Sequence, residues 1–181
     1  MELIVTAALI ALVAWGIVGY NRLIADANRI HAAWSDIDIQ LKRRHDLIPR
    51  LAEAVKSYAS YEHETLEDIT SLRHKSKLSQ RISEVGEVES DLGAKVNQVM
   101  AVMEAYPDLK ADKSFTSLQH NLTDVEDHIQ YARRHYNGAV RVFNTRLGVF
   151  PDLFLARVFR FRAKEYFQLE EDEERETAKI L

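Results

Sequence analysis

The chain has 181 residues, a formal net charge of −4, 29% charged and 46% hydrophobic residues, and no cysteine. This composition is typical of one folded domain plus an anchor, and the low counts of Gly and Pro, six and three, favour long helices. The absence of cysteine excludes disulfides, thiolate metal sites and a cysteine nucleophile, and the negative charge argues against general nucleic-acid binding.

Residues 3–20 read LIVTAALIALVAWGIVGY and carry no charged side chain. A helix of this length covers about 27 Å, roughly the hydrocarbon core of a bilayer. Trp15 and Tyr20 stand toward one end of the run, as interfacial aromatic residues do. We therefore predict a transmembrane anchor over residues 1–20. The alternative, a secretory signal peptide, lacks its basic start and its small-residue cleavage site here.

The charges flanking the anchor predict its orientation. Ahead of the apolar run lie the α-amine and Glu2, and behind it lie Arg22 and Arg29. Because positive charges favour the cytoplasmic side, this bias predicts an external N-terminus and a cytoplasmic helical domain.

One apolar stripe from Tyr20 to about Ser71 predicts a long helix that continues the anchor. Its apolar residues recur at alternating steps of 3 and 4, which is the repeat of a helix packed along another helix. Arg44 falls on the stripe, and Pro49 predicts a kink or short break near Leu47 because it removes a backbone donor. The stripe consists of Leu23, Ala27, Ile30, Trp34, Ile37, Leu41, Ile48, Leu51, Val55 and Tyr58.

Two further helices are predicted after a polar connection at residues 74–83. The first covers residues 84–105 and is stopped by residues 106–108, which read Tyr-Pro-Asp. The second begins at an N-cap supplied by Asp112 or Ser114. The apolar stripe of this second helix consists of Phe115, Leu118, Leu122, Val125, Ile129, Ala132, Tyr136, Ala139 and Phe143.

A fourth helix is predicted over residues 152–169, after Gly148 and Pro151, and is followed by an acidic tail over residues 170–181. The sequence contains no alternation of apolar and polar residues long enough to predict a strand. Helices with short connections and heptad stripes predict an all-α fold: an N-terminal transmembrane helix continuing into an antiparallel four-helix, coiled-coil-like bundle over residues 21–169.

Aromatic and basic side chains interleave along the fourth predicted helix. This pattern is typical of a membrane-surface helix, and it also fits a helix that packs on the bundle or contacts another subunit. If the four helices climb and descend in turn, this last helix ends far from the membrane, so packing or subunit contact is favoured. The residues considered for either contact are Phe154, Arg157, Phe159, Arg160, Phe161 and Arg162.

The histidines and acids do not form a metal-binding motif. None of the seven histidines has an acid three residues before it, as the Glu-x-x-His pairs of di-iron bundles require. His63 and Glu67 bound only half of a zinc-protease motif. Asp124 and His128 lie four residues apart on one helical face, which predicts a surface hydrogen-bonded pair. We predict no metal, no cofactor and no catalytic residue.

A charged run surrounds the break in the first stripe. On a helix, Asp38 faces Lys42 and Asp36 lies near Arg43, which predicts surface ion pairs worth a few tenths of a kcal/mol.

Arg44 differs from its charged neighbours because it falls on the apolar stripe. A buried guanidinium needs a partner, since a lone buried charge costs several kcal/mol. We expect Arg44 to pair with Asp124 or Glu126 of the third predicted helix and to fix the register of the two helices.

Six segments carry a recognisable pattern: 20–21 (YN), 33–35 (AWS), 37–49 (IDIQLKRRHDLIP), 106–111 (YPDLKA), 136–137 (YN) and 143–144 (FN). They resemble the LemA family, and the resemblance runs from the anchor almost to the tail. It implies a bacterial, inner-membrane, single-pass, four-helix protein with a short external N-terminus and no established reaction, some of whose relatives are linked to forming intracellular membrane compartments. Arg50 departs from the family, many members of which have Asn there. Candidate structural or assembly residues are Trp34, Arg44, Pro49, Tyr136 and Asn137.

These observations predict a non-enzymatic, membrane-anchored scaffold that assembles with copies of itself and organises or shapes the bacterial inner membrane. Its predicted partners are the lipid bilayer, further copies of the chain and, as an open option, another membrane protein; no nucleic-acid partner is predicted. The alternative is a membrane-anchored adaptor or sensor domain. In that case the basic segment 73–81 and the acidic tail would recruit an envelope protease or a signalling partner.

Overall fold

The computed structural model describes residues 1–56, 63–103, 106–107 and 111–167. Within these ranges the chain forms five helices and no strand, so the all-α prediction is confirmed. The acidic tail predicted over residues 170–181 lies outside the described residues. The helices are α1 (Glu2–Lys56), α2 (His63–Leu78), α3 (Ile82–Met103), α4 (Lys113–Gly148) and α5 (Asp152–Val158).

Helix α1 continues the apolar N-terminal segment into the folded body without a break. Of the kink or short break predicted near Leu47, the break does not occur, since α1 remains helical through Pro49 to Lys56. Pro49 lies on the exposed side of the helix, where water can serve the carbonyl group that loses its partner. Ile48 and Leu51, which flank it, are buried and hold the helix against the core.

The prediction of one helix as far as Ser71 is wrong. Helix α2 begins at His63, and its Leu66 lies in the same buried cluster as Ile48 of α1. In a straight helix these two residues would be about 27 Å apart. The chain therefore turns back between α1 and α2. The predicted polar connection at residues 74–83 is also shorter than expected, since α2 stays helical to Leu78.

Helices α1 and α4 run antiparallel along most of their length. Arg44 of α1 pairs with Glu126 of α4, and Asp26 of α1 pairs with Arg146 of α4. Helix α4 rises over about 54 Å, so it returns the chain from the far end of α1 to the level of Tyr20. Helix α2 runs back toward the anchor and α3 runs away from it. Helix α4 therefore runs toward the anchor rather than away from it.

The two ends of α4 are set by local signals. Asp112 is its N-cap, as predicted, and its carboxylate accepts hydrogen bonds from the backbone N–H groups of Ser114 and Phe115. Past the other end, the predicted helix over residues 152–169 is only half correct, since α5 ends at Val158.

Helix α5 stops in a Schellman motif, with Arg160 at the left-handed position (φ 55°). The Phe161 N–H donates to the Ala156 carbonyl at 2.9 Å, and the Arg160 N–H donates to the Arg157 carbonyl at 3.2 Å. The chain then continues as a non-helical strap, residues 161–167, along α4.

The core is divided into two buried apolar clusters. One cluster lies toward the anchor and includes Leu41, and the other lies toward the far end of α1 and includes Ile48. On both α1 and α3, a buried charged residue lies in sequence between the residues of the two clusters. These charged residues are Arg44 on α1 and Glu89 on α3. A layer of charge therefore separates two apolar layers along α1 and α3.

Candidate functional site: a buried charge network and a membrane-proximal foot

Arg44 is the centre of a charge network that joins α1, α3 and α4. Its side chain is 3% exposed and donates to the carbonyl oxygen of Glu89 at 2.9 Å and to the Glu89 carboxylate at 2.8 Å. It also donates to the carboxylate of Glu126. Glu126 was one of the two predicted partners and is confirmed; the other, Asp124, lies 3.6 Å from Arg43 instead.

Glu89 is held ionised by the groups around it. His45 Nε2 lies 2.6 Å from one carboxylate oxygen, to which the Ser76 hydroxyl also donates. Burial by itself raises the pKa of Glu89, but the bonds from His45 and Ser76, together with the positive charge of Arg44, outweigh it and lower the pKa below its ordinary value of 4.5. Three helices, α1, α2 and α3, therefore meet at the Glu89 carboxylate, and Arg44 extends the network to Glu126 of α4.

The network needs a close approach of α3 to Arg44, and Gly93 provides it. A Cβ at position 93 would lie 3.1 Å from Arg44 Nη2 and 3.5 Å from the carboxylate of Glu126. The missing side chain leaves space for the guanidinium to pass across α3 and reach α4.

A second network lies near the anchor. The side chain of Asp26 on α1 is 4% exposed and accepts a 2.7 Å hydrogen bond from Arg146 on α4. Arg146 also donates to Asp152 at the start of α5, at 3.2 Å, and Arg29 donates to Asp26 at 3.0 Å. The hydrogen bond to Asp26 contributes most to raising the pKa of Arg146, so this residue stays charged and its ion pairs tie α1, α4 and α5 together.

Trp34, Tyr136 and Asn137 are brought together, at the end of the strap. The ring of Trp34 lies 5.8 Å from that of Tyr136 and 6.0 Å from that of Phe167. The Tyr136 hydroxyl donates to the Glu165 carbonyl at 2.9 Å. Burial, with the nearby charge of Glu165, raises the pKa of Tyr136 to about 12, so the hydroxyl remains a donor.

Asn137 and Asn144 hold the strap by its backbone. Each side chain both donates to a carbonyl and accepts from the N–H of one strap residue, Phe167 for Asn137 and Lys164 for Asn144, at 2.8 to 3.0 Å. This pairing gives the Tyr-Asn and Phe-Asn segments of α4 a structural role. The other two candidates lie elsewhere: Arg44 in the buried charge network, and Pro49 on the exposed side of α1.

Helix α5 lies against the last turn of the apolar segment of α1. Leu155 covers Gly19 so closely that a Cβ there would overlap it, and the rings of Phe159 and Tyr20 are 4.7 Å apart. The expectation that this part of the chain ends far from the anchor is wrong, because α4 descends. Phe161 is only partly buried and packs inward, with its ring centroid 6.0 Å from that of Tyr20 and 6.2 Å from that of Phe143.

The outer side of α5 and its flanks carries exposed apolar side chains beside arginines. We call this surface the membrane-proximal foot because it adjoins the last turn of the predicted anchor. The exposed fractions of Phe150, Phe154, Val158 and Phe159 are 74%, 54%, 72% and 52%. The foot consists of these four residues with Arg157 and Arg160; Arg162 follows on the strap and is also exposed.

Other predicted polar groups behave as surface residues. His128 Nδ1 lies 2.6 Å from the Asp124 carbonyl and 3.4 Å from its carboxylate, and both side chains are about half exposed, so the predicted surface pair is confirmed. Arg43 donates to Gln40 at 3.0 Å rather than to Asp36. Over the described ranges, no group of three or more His, Asp or Glu side chains is placed to hold a metal.

Glu89, Asp26 and Asn144 are the polar residues whose structural roles were missed from the sequence. Asp26 lies one residue before a predicted stripe position. A stripe placed one residue earlier at this point would have identified Asp26 as a second buried charge. Glu89 could have been sought as a partner of Arg44 on the second predicted helix as well as on the third.

These features define a class: an all-helical protein whose longest helix joins an apolar segment of membrane-spanning length to a folded body. The LemA family model matches residues 33–181, and the chain belongs to the LemA family. The predicted resemblance is thus confirmed.

Relatives support the same assignment. Protein LemA of Metamycoplasma hominis is 30% identical over 163 residues, which cover 84% of this chain and 73% of that protein. Magnetosome protein MamQ 2 of Paramagnetospirillum magneticum is 23% identical over 187 residues, covering 89% and 69%. Magnetosome protein MamQ of Magnetospirillum gryphiswaldense is 22% identical over 186 residues, covering 88% and 68%.

Proposed function

We propose that this protein is a non-enzymatic, membrane-anchored scaffold that assembles with copies of itself and organises the bacterial inner membrane. The observation that carries the proposal is the continuity of α1, which is one 55-residue helix from Glu2 to Lys56. Because no joint separates the apolar segment from the core, every anchored body projects from the same side of the bilayer along its own spanning helix. Antiparallel packing of α1 to α4 as a four-helix bundle gives this body its long, exposed helical sides.

The apolar segment needs a membrane for a physical reason. Its most apolar 18-residue window has a mean hydropathy of 2.3, and only 6% of it is buried by the rest of the fold. Burying a large apolar side chain is worth about 1.5–3 kcal/mol, and residues such as Leu3, Ile10 and Val13 are each more than half exposed. A bilayer removes that surface from water, and the length of the segment matches its hydrocarbon core.

The arginines near the anchor favour a cytoplasmic body. Arg22 and Arg29 follow the apolar segment in sequence, and the fold returns Arg157, Arg160 and Arg162 to the same level through α4 and α5. Arg22 and Arg29 carry the positive-inside bias, which counts charges within about 20 residues of the span. The three later arginines add positive charge at the same end of the span.

Self-assembly follows from anchoring copies in one plane with one orientation, which raises their effective concentration. The relatives named as magnetosome proteins support a role in organising membranes. Large apolar side chains exposed on the body, such as Ile39 at 56% and Tyr131 at 69%, are available for contacts between copies.

The test is the size of the particle extracted from membranes in mild detergent, measured by light scattering after gel filtration. We expect a particle of several copies that the Tyr131→Glu or Ile39→Glu variant makes smaller, whereas Asn121→Glu, a change at an exposed polar position on α4, leaves it intact. Monomers at every protein concentration would contradict the scaffold proposal.

A further inference from the structure

We propose that the membrane-proximal foot docks into the headgroup layer of an anionic bilayer, beside the point where α1 leaves the membrane. This inference rests on the proposed anchoring and not on self-assembly. The foot would then be a second point of membrane contact, fixing both the tilt and the rotation of the body, which a single spanning helix leaves free.

The position of the foot is set by contacts with the anchor. Leu155 covers Gly19, and Phe159 and Phe161 pack against Tyr20, in the last turn of the apolar segment. Trp15, one turn deeper, packs against the same buried cluster as Leu155. The foot is therefore continuous with the membrane-spanning surface and lies at the level of its boundary.

The face that the foot presents is amphipathic. Phe154 and Val158 lie one helical turn apart on α5, and Phe150 packs against Phe154 with ring centroids 5.9 Å apart. Each of the three is more than half exposed, on a short helix whose Leu155 and Ala156 are buried. Aromatic and aliphatic residues on one face with arginines beside them are typical of interfacial membrane contact.

The charges of the foot complement an anionic surface. Arg157, Arg160 and Arg162 are exposed, and no carboxylate in the described part of the chain forms an ion pair with them. Asp152, the acid at the start of α5, is paired with Arg146 and so adds little negative charge. The foot therefore has a net positive surface that acidic headgroups would attract.

Arg160 provides an independent indication. It occupies the left-handed position of the Schellman motif, which favours glycine because a Cβ there is strained. Glycine would end the helix with less strain. We therefore attribute the arginine at this position to a contact that its guanidinium group makes. The structure places it on the exposed foot, where lipid phosphate would be its partner.

The test uses the full chain in nanodiscs that hold one copy each, made of phosphatidylcholine alone or with phosphatidylglycerol. Because the chain has no cysteine, a nitroxide can be placed on Val158→Cys, and on Tyr131→Cys as a control far from the foot. Collisions with oxygen report lipid contact, and collisions with a water-soluble nickel chelate report water contact. We expect the oxygen-to-nickel ratio to be several-fold higher at 158 than at 131, and highest in the anionic discs.

Arg160→Gly separates docking from folding. We expect it to lower the ratio at 158 several-fold in anionic discs while the melting temperature stays the same or rises. Arg157→Gln should also lower the ratio, whereas Arg134→Gln, an exposed change on α4 about 22 Å nearer the far end, should not.

Three results would overturn the proposal. The first is a label at 158 that is as exposed to water as the label at 131. The second is protection of 158 only when several copies share a disc, which would make the foot a subunit contact. The third is a lower melting temperature of Arg160→Gly with an unchanged ratio at 158. Monomers in detergent would contradict self-assembly but would leave this prediction standing.

Discussion

The side chain of Asn137 pairs with the backbone of Phe167 through two hydrogen bonds. Its amide donates to the Phe167 carbonyl at 2.8 Å, and its oxygen accepts from the Phe167 N–H at 2.9 Å. Asn144 binds Lys164 in the same manner. Seven residues on a helix and three residues of extended chain both cover about 10 Å, so the two asparagines match the spacing of the strap.

Asn137→Ala should release the end of the strap. The variant loses two hydrogen bonds and leaves the backbone of Phe167 unsatisfied, which costs about 1–3 kcal/mol. Hydrogen exchange at residues 163–167 should become faster, and the fluorescence of Trp34, whose ring lies 6.0 Å from that of Phe167, should change. Asn121→Ala is the matched control, because that exposed side chain bonds, among the described residues, only to the Ser117 carbonyl within the same helix. Equal exchange in both variants would contradict a tether by Asn137.

The sequence predicted α4 closely and the strap not at all. The α4 stripe and its Asp112 cap are local signals, and both appear in the structure. Beyond α5, residues 159–162 alternate Phe and Arg, a period of two that is typical of extended chain rather than helix. The end of α5 depends on a left-handed Arg160, which residue preference opposes, so helical propensity alone extends the helix too far.

The length of the first helix could not be predicted from its stripe. Apolar residues continue with helical spacing beyond Lys56 as far as Leu72, since α2 also buries one face against the core. A stripe reports which face is buried but not whether the chain has reversed direction. This one reversal changes the direction of every later helix, and therefore whether α5 lies near the membrane or far from it.

Arg44→Leu should destabilise the body strongly. Removing the guanidinium leaves Glu89 buried without its cationic partner, and breaking a buried pair in this way costs about 3–5 kcal/mol. Urea unfolding of the detergent-solubilised chain, followed by circular dichroism, measures the change. Arg43→Leu, which removes an exposed arginine one residue away, should cost less than about 1 kcal/mol. Melting of Arg44→Leu at or above the wild-type temperature would show that the charge layer is not needed for stability.

Gly93→Ala tests the close approach of α3 to Arg44. Alanine favours a helix by about 1 kcal/mol over glycine, but its Cβ would lie 3.1 Å from Arg44 Nη2. Two carboxylates hold that guanidinium in place, so we expect a net destabilisation of about 1–3 kcal/mol. Gly138→Ala in α4, where nothing lies within 4 Å of the added Cβ, should instead raise the melting temperature. If both variants gain stability, Arg44 can move aside without loss.

Acid should weaken the charge network through Glu89. Because its pKa is lower in the folded state than in the unfolded state, Glu89 adds stability that is fully present above about pH 4.5 and is lost as the pH falls through its folded pKa. Each unit of lowering corresponds to about 1.4 kcal/mol. Glu89→Gln should be less stable at neutral pH and should lose less stability on acidification than wild type. Glu87→Gln, at an exposed position on α3, should keep the wild-type dependence.

Gly19→Ala should loosen α5 from the anchor. The added Cβ would overlap the Leu155 side chain, which is 91% buried there, and relieving such an overlap costs about 1–3 kcal/mol. Hydrogen exchange of residues 152–158 in nanodiscs should become faster, while Gly16→Ala, where no atom lies within 4 Å of the new Cβ, should leave it unchanged. Leu155→Ala creates the missing space, so the double variant should lose less than the sum of the single losses, with a coupling energy of about 0.5–3 kcal/mol. Additive losses would mean that Gly19 and Leu155 do not contact each other in the bilayer.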